Sequence, residues 1–405
     1  MGRTYLTLGR LTEASEYLHQ ASAAARKQNA PPLAATTLND VGVLLAKKGQ
    51  DNDALEAFEE SVDFAEQATL PLLAATARTN AARALLRIGQ PTNSRLSLDA
   101  ALDLLQHVAP SRHKSLGLIG IAVAYQRLIP HLTHARDALL LTAAGVLQEA
   151  AAVAEEQGDK RTLSYAWGYL GHLYETESRV GEALQLTRKA LFTAQSVDAP
   201  ESLYRWQWQV GRLQTATGRL DDAIASYRQA ASTLQPIRAE VAHGSSEGPE
   251  AAQETVKPMY FELADLLLQR ASLTQDNTAA ENYLIAARDA IEAYKTAELR
   301  DYFKDDCVDA VRSRLTDVGS VVAGHRRDLS HHVQCSAGAA HQFAFRTERI
   351  SVPVAADRLT QEIREFRRLV EKRTTREYLP HAATSCTTGW YAHWKPTLRN
   401  RRSLH

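Results

Sequence analysis

Small and apolar positions recur at fixed offsets along the first part of the chain. Gly42, Ala54, Phe58 and Ser61 stand at offsets 0, 12, 16 and 19. Gly171, Ala183, Thr187 and Ala190 repeat those offsets, as do Gly211, Ala223, Tyr227 and Ala230. Ala82, Ser94, Leu98 and Ala101 make a weaker copy. The anchors at 42 and 82 are forty residues apart, and so are those at 171 and 211, with room for one diverged unit around Gly120 to Gly158. Self-similarity at such a period is the mark of a stacked-repeat architecture. The offsets predict pairs of helices. The small residue at offset 0 sits mid-helix where a second helix crosses closely, the one at offset 12 answers it, and the residue at offset 16 fills the gap a turn later. Turns centred on Gly49, Gly89 and Gly218 supply the left-handed backbone of a helix stop. Pro31, Pro71, Pro110 and Pro200 fall at unit borders, where proline opens a helix.

The pattern changes after about Val241. His243 to Glu250 reads as a polar loop rich in helix breakers. Helices are expected to resume at Pro258. The stretch Met259 to Ser272 carries an apolar face of Phe261, Ala264, Leu267 and Leu268. A longer helix is expected from about Ala279 to Glu298, striped by Leu284, Ala287, Ile291 and Tyr294.

Composition and charge narrow the function classes. The 405 residues carry 47 Lys+Arg and 47 Asp+Glu, a formal net charge of zero, which argues against an electrostatic nucleic-acid binder. Apolar residues at 44% and charged residues at 23% fit a globular protein. The apolar stretches read as shorter than the roughly 18–20 residues that span a bilayer. No secretory leader opens the sequence, and three widely separated cysteines suit a reducing compartment, so a cytoplasmic location is expected. Seven of the 14 histidines and two of the three cysteines follow Gly319, so that last fifth reads separately.

The repeating pattern resembles the tetratricopeptide repeat. Trp167, Leu170, Gly171, Tyr174, Ala183 and Ala190 occupy that family's signature positions in one unit. The forty-residue period exceeds the usual 34 and so predicts longer helices. Leu8 to Ala14 looks like a turn and second helix with no full first helix before it. The resemblance implies an all-α solenoid, a right-handed superhelix of helix pairs, in which first helices line a concave groove that takes a peptide or protein segment. By repeat position the groove-facing candidates are Asn39 with Val43, Thr79 with Arg83, Tyr165 with His172, and Arg205 with Trp208 and Arg212. Two guanidiniums flanking an indole can fork a carboxylate and anchor an apolar side chain. The competing reading is that Trp206 or Trp208 packs on the next repeat and the arginines are solvated. The Lys and Asn pattern with which family members clamp a C-terminal carboxylate is not evident.

Further strings resemble the CHAT-domain family, in which a caspase-like domain follows tetratricopeptide repeats. Ala297 to Val308 looks like the junction, and Val256 to Leu268 like the helix that precedes it. Ile350 to Val354 and Phe366 to Pro380 match the opening of the CHAT domain. Between them the expected hydrophobic strand pair is missing from His325 to Phe345. Codons can be chosen for residues 325–346 so that a shifted frame encodes the expected strands, and for residues 385–396 so that another frame encodes a string also expected there. The resemblance implies a His general base and a Cys nucleophile well downstream of Pro380, so the catalytic pair is expected to be absent. Cys386 and His381 do not stand at the family's positions. His325, His331, His332, Cys335 and His341 could ligate a metal, yet their spacing matches no common zinc module. A Cys335 or Cys386 nucleophile is the other sharp reading of the tail. The preferred one is a frame-disturbed segment without metal or cofactor. A charged helix is expected from about Ala356 to Tyr378, with a stripe of Leu359, Ile363, Phe366 and Val370.

Together these features predict a solenoid over residues 1–242, a linker over 243–257, capping helices and junction over 258–318, and an incomplete caspase-like remnant over 319–405. The expected function is a non-catalytic scaffold that holds a protein partner in its groove. The alternative is a caspase-like cysteine peptidase or its regulatory part.

Overall fold

Helices of seventeen residues and turns of three generate the forty-residue period. In this computed structural model α1 spans Gly2–Thr7 and α2 Leu11–Lys27; α3 Pro31–Lys47 and α4 Asp51–Gln67; α5 Pro71–Arg87 and α6 Pro91–Gln106. They are followed by α7 Arg112–Leu128 and α8 Arg136–Glu156, α9 Lys160–Thr176 and α10 Val180–Gln195, α11 Pro200–Ala216 and α12 Leu220–Leu234. The last pair is α13 Pro249–Leu273 and α14 Asn277–Phe303. The structure describes residues 1–238, 241 and 249–303, and all the described regular elements are helical. Six residues beyond the usual period amount to nearly one extra helical turn in each helix. The chain divides into units 1–340 and 341–405; the second lies outside the described residues, as do all expectations for residues 304–405.

The turns follow one hydrogen-bond scheme. At the end of α3, Gln50 N–H donates to Leu45 O and Gly49 N–H to Ala46 O, with Gly49 at φ 74°. This is a Schellman stop, and it repeats at Gly89 (φ 79°) and Gly218 (φ 72°). Four stops place a residue other than glycine in the left-handed region: Asn29, Thr69, Ser178 and Asp198. Pro31, Pro71 and Pro200 open helices, and so does Pro91. Pro110 instead lies one residue before Ser111, whose hydroxyl caps α7 by accepting from Lys114 N–H at 3.2 Å.

The small residues lie at helix crossings. A Cβ on Gly42 would stand 2.5 Å from Phe58, and one on Gly211 2.5 Å from Tyr227. Each pair is the offset 0 and offset 16 residue of one unit. Ala54, Ala183 and Ala223, at offset 12, have no exposed surface. Where the anchor is Ala82, Ser94 replaces the alanine and its hydroxyl donates to Ala82 O at 2.7 Å. Ser61 and Ser164 likewise donate to carbonyls of their partner helices, which satisfies a buried hydroxyl at a close crossing.

The diverged unit is α7 with α8. Two 3₁₀ turns, Ile129–His131 and Thr133–Ala135, replace its glycine turn, and α8 runs to 21 residues. Contrary to the sequence expectation, Thr133–Glu156 is long and apolar enough to cross a membrane by length and composition. Its apolar positions have another use: Leu139, Ala143, Leu147 and Ala150 are buried in the central core with Leu118, Ile121 and Tyr125 of α7.

First helices of successive pairs touch: α3 with α5, α5 with α7, α7 with α9, α9 with α11. Among the described residues the second helices make no comparable contact, so the first helices occupy the inner side of the curve. At the end of the stack, α13 packs on α12 and α14. α13 starts at Pro249, so part of the expected linker is helical and Pro258 lies inside the helix. A proline there removes one backbone bond; burial of Val256, Met259 and Tyr260 around it holds the helix together. The expected apolar face shifts as well. Ala264 and Leu267 are buried with Leu263 and Leu266, whereas Phe261 is exposed with its ring edge-on to Tyr294.

Candidate functional site

The inner side carries two groups of polar and aromatic residues. The first spans α3, α5 and α7. Asn80 Nδ2 donates to Asn39 Oδ1 at 3.0 Å, Arg83 Nη1 donates to Asn80 Oδ1 at 3.2 Å, and Arg83 Nη2 reaches Gly120 O at 3.5 Å. Asn39 is buried, and its amide oxygen is taken by Asn80. Beside this ladder, α5 and α7 enclose a trough of about 380 Å³. Leu72, Leu73 and Leu116 line its apolar part; Thr79, Asn80, Arg83 and His113 line its polar part. Gly117 and Gly120 keep the α7 wall low, and a Cβ on Gly120 would find only Arg83 Nη2, at an ordinary 3.7 Å.

The second group spans α9 and α11. Trp206 is almost fully buried, and its indole N–H donates to Ser164 Oγ at 2.9 Å. The rings of Tyr165 and Tyr169 meet it edge-on at 6.1 and 5.7 Å between centroids, a favoured aromatic geometry. Burial pushes the Tyr165 hydroxyl up in pKa, so it stays protonated. The Arg205 guanidinium lies 5.3 Å from the Tyr204 ring centre. Its Nε is enclosed and has no hydrogen-bond partner.

Further along α9 and α11, Glu175 joins two of the expected groove residues. Its carboxylate accepts from Arg212 Nε at 2.7 Å and Nη2 at 2.8 Å, and contacts His172 Nδ1 at 3.0 Å. Burial alone would raise this carboxyl; the hydrogen bonds of His172 and Arg212 and the arginine charge outweigh it and hold the group below its ordinary value. The Arg212 guanidinium also lies over the Trp208 ring at 4.8 Å. Trp208 donates its indole N–H to Glu262 Oε2 of α13 at 2.8 Å, and Tyr227 O–H donates to the same oxygen at 2.6 Å.

The candidates thus divide. Asn39 and Arg83 fall in one ladder, Tyr165 and Arg205 in the aromatic group, and His172, Arg212 and Trp208 in a network that ends on α13. Both tryptophans pack on neighbouring pairs, Trp206 on α9 and Trp208 on α13. The arginines differ, because Arg212 already grips an internal carboxylate while Arg205 grips none. Sequence reasoning missed Asn80, Gly120, Tyr169, Glu175 and Glu262. Glu175 was accessible to it: the residue stands one turn after His172 on the same helix face, as an acid opposite an arginine one repeat later. Among the described residues no three His, Cys, Asp or Glu side chains gather as metal ligands.

Residues 1–67 match the family model of the tetratricopeptide repeat. The match falls on the first helices of the stack, and the described helix pairs as a whole have the fold of a tetratricopeptide-like solenoid. No curated protein matches the chain. Among solved structures, BtubC (BKLC) from P. vanneervenii is 18% identical with a TM-score of 0.47, over 57% of this chain and 92% of that one. Aspartyl phosphate phosphatase F from Bacillus subtilis is 13% identical with a TM-score of 0.45, over 66% and 73%. A thermophilic TPR protein from Thermus thermophilus is 21% identical with a TM-score of 0.37, over 52% and 98%.

Proposed function

We propose that this tetratricopeptide-repeat solenoid is a scaffold that holds an extended segment of a protein partner against its first helices. The observation that carries the proposal is the trough between α5 and α7. Its volume of about 380 Å³ suits one or two side chains, and its walls pass from leucines to a polar ladder. Binding sites are commonly concave, largely apolar and marked by a few fixed polar groups. The ladder is tied internally, so its donors are held in place before a partner arrives, which lowers the ordering cost of association.

In its finer form the proposal draws on the strings that resemble the CHAT-domain family. The captured segment would then be presented to, or would regulate, an adjoining caspase-like domain. Sequencing the gene checks this form: a shifted frame encoding the missing strands supports it, and its absence removes it.

The scaffold reading is tested by selecting peptides of about 12 residues from a random display library on the full chain. Such peptides extend to roughly 40 Å, enough to cross several helices. Hydrogen exchange of the chain with a selected peptide should then protect α5, α7, α9 and α11. Protection confined to the second helices would show that the partner lies elsewhere.

A further inference from the structure

Along the inner side of α9 and α11, the charged side chains are paired with one another, with one departure. Arg212 is bound to Glu175 through two hydrogen bonds. Arg161 of α9 donates to Glu201 Oε1 at 2.5 Å, which occupies the carboxylate one turn before Arg205 on α11. Arg205 itself has no carboxylate and no hydrogen-bond acceptor among the described residues, and its Nε is enclosed. Its surroundings are aromatic: Tyr204 beneath it, with Tyr165 and Tyr169 of the preceding repeat close enough to feel its charge. A guanidinium held against rings, part stripped of water and without a counter-charge, carries an unmet demand for an anion. The stacked fork is also oriented, which favours a planar carboxylate over a diffuse negative surface.

We infer that Arg205 is the anchor for an aspartate or glutamate side chain of the partner segment, with the half-buried Tyr165 and Tyr169 of α9 flanking the acid's aliphatic stem. This rests on the scaffold reading and specifies the partner's chemistry: an extended peptide with an acid at one fixed position. Charge complementarity decides the occupant. A cationic residue at this point would meet Arg205 unscreened, and a purely apolar one would leave it buried and unpaired.

The test uses the full chain and a random 12-residue display library, selected in parallel on the wild type, Arg205→Gln and Arg205→Lys. The wild type should enrich Asp or Glu at one position relative to the other anchor residues. Changing that acid to its amide in the best peptide should weaken binding to the wild type about tenfold, the size of one charge-assisted pair, or about 1.4 kcal/mol. On Arg205→Gln the same change should matter little and the enrichment should vanish, while peptides are still recovered. Arg205→Lys keeps the charge and the stem, so it should retain the acid preference in weakened form; this separates loss of the anchor from loss of fold. Peptides recovered without an acid preference, or with the same preference on Arg205→Gln, would overturn the Arg205 inference and leave the scaffold reading standing. Recovery of no peptide on the wild type would overturn both.

Discussion

The indole of Trp206 lies so close over Gly168 that a Cβ on the glycine would sit 2.2 Å from the ring. α9 and α11 approach each other at this point because one side chain is absent and the other is the largest available. The Ser164 hydroxyl completes the fit by accepting the indole N–H.

Gly168→Ala should therefore force the ring or the helix to move, at a cost of about 1–3 kcal/mol, the range for overpacking a filled core. Gly145→Ala is the matched control. Its added Cβ meets nothing within 4 Å, so it should stabilise the chain by about 0.5–1 kcal/mol through helix propensity. Urea denaturation of both variants measures the contrast; equal effects would show that the crossing is not tight.

Thr69 ends α4 at φ 54°, a conformation that costs a residue with a Cβ about 1–2 kcal/mol. Its backbone makes the same stop as Gly49, with Leu70 N–H on Ala65 O and Thr69 N–H on Glu66 O. Thr69→Asn should gain about 0.5–1 kcal/mol, since asparagine tolerates this region. Gly49→Ala should lose about 1 kcal/mol although its Cβ would touch nothing within 4 Å. Thermal midpoints moving in opposite directions would confirm that backbone conformation, not contact, sets the turns.

Much of this architecture was legible because steric rules act locally. The residue at offset 16 meets the one at offset 0 inside a single helix pair, so Gly42 with Phe58 and Gly211 with Tyr227 are visible in one stretch of sequence. The functional side was less legible, because its pairings cross repeats. Glu175 answers Arg212 of the next pair, and Glu262 answers Trp208 and Tyr227 from a helix outside the repeat pattern. Which arginine is internally spent and which is open depends on those partners, and spacing does not reveal them. Pro258 shows the same limit: taken alone it signals a helix start, whereas burial on either side carries α13 through it.

Glu175 gives a pH signature. Its carboxyl lies below the ordinary 4.5 in the folded chain, so it contributes stability that is fully present above that unfolded value. The contribution fades as pH falls through the lower folded value. Glu175→Gln should cost about 2 kcal/mol near neutral pH by leaving Arg212 and His172 half-satisfied. The gap between wild type and variant should close as the medium is acidified below 4.5. A gap independent of pH would assign the loss to packing instead.

Glu262 ties the last repeat to the capping pair by accepting from Trp208 and Tyr227. Glu262→Ala leaves the hydroxyl of buried Tyr227 and the indole N–H of half-buried Trp208 without their acceptor, at about 1–3 kcal/mol. Hydrogen exchange should quicken in α13 and α14 and change little in α3 to α6, because repeats contact only their neighbours. Uniform quickening along the chain would contradict this local coupling.

The most direct measurement of the scaffold claim is the affinity of a selected peptide for Gly120→Leu. The first carbon of the new side chain fits beside Arg83, and the rest fills the trough between α5 and α7. Calorimetry should show binding weakened at least about tenfold, a loss of about 1.4 kcal/mol, with a thermal midpoint equal to or above that of the wild type. Unchanged affinity in a folded Gly120→Leu chain would mean that the partner does not enter the trough.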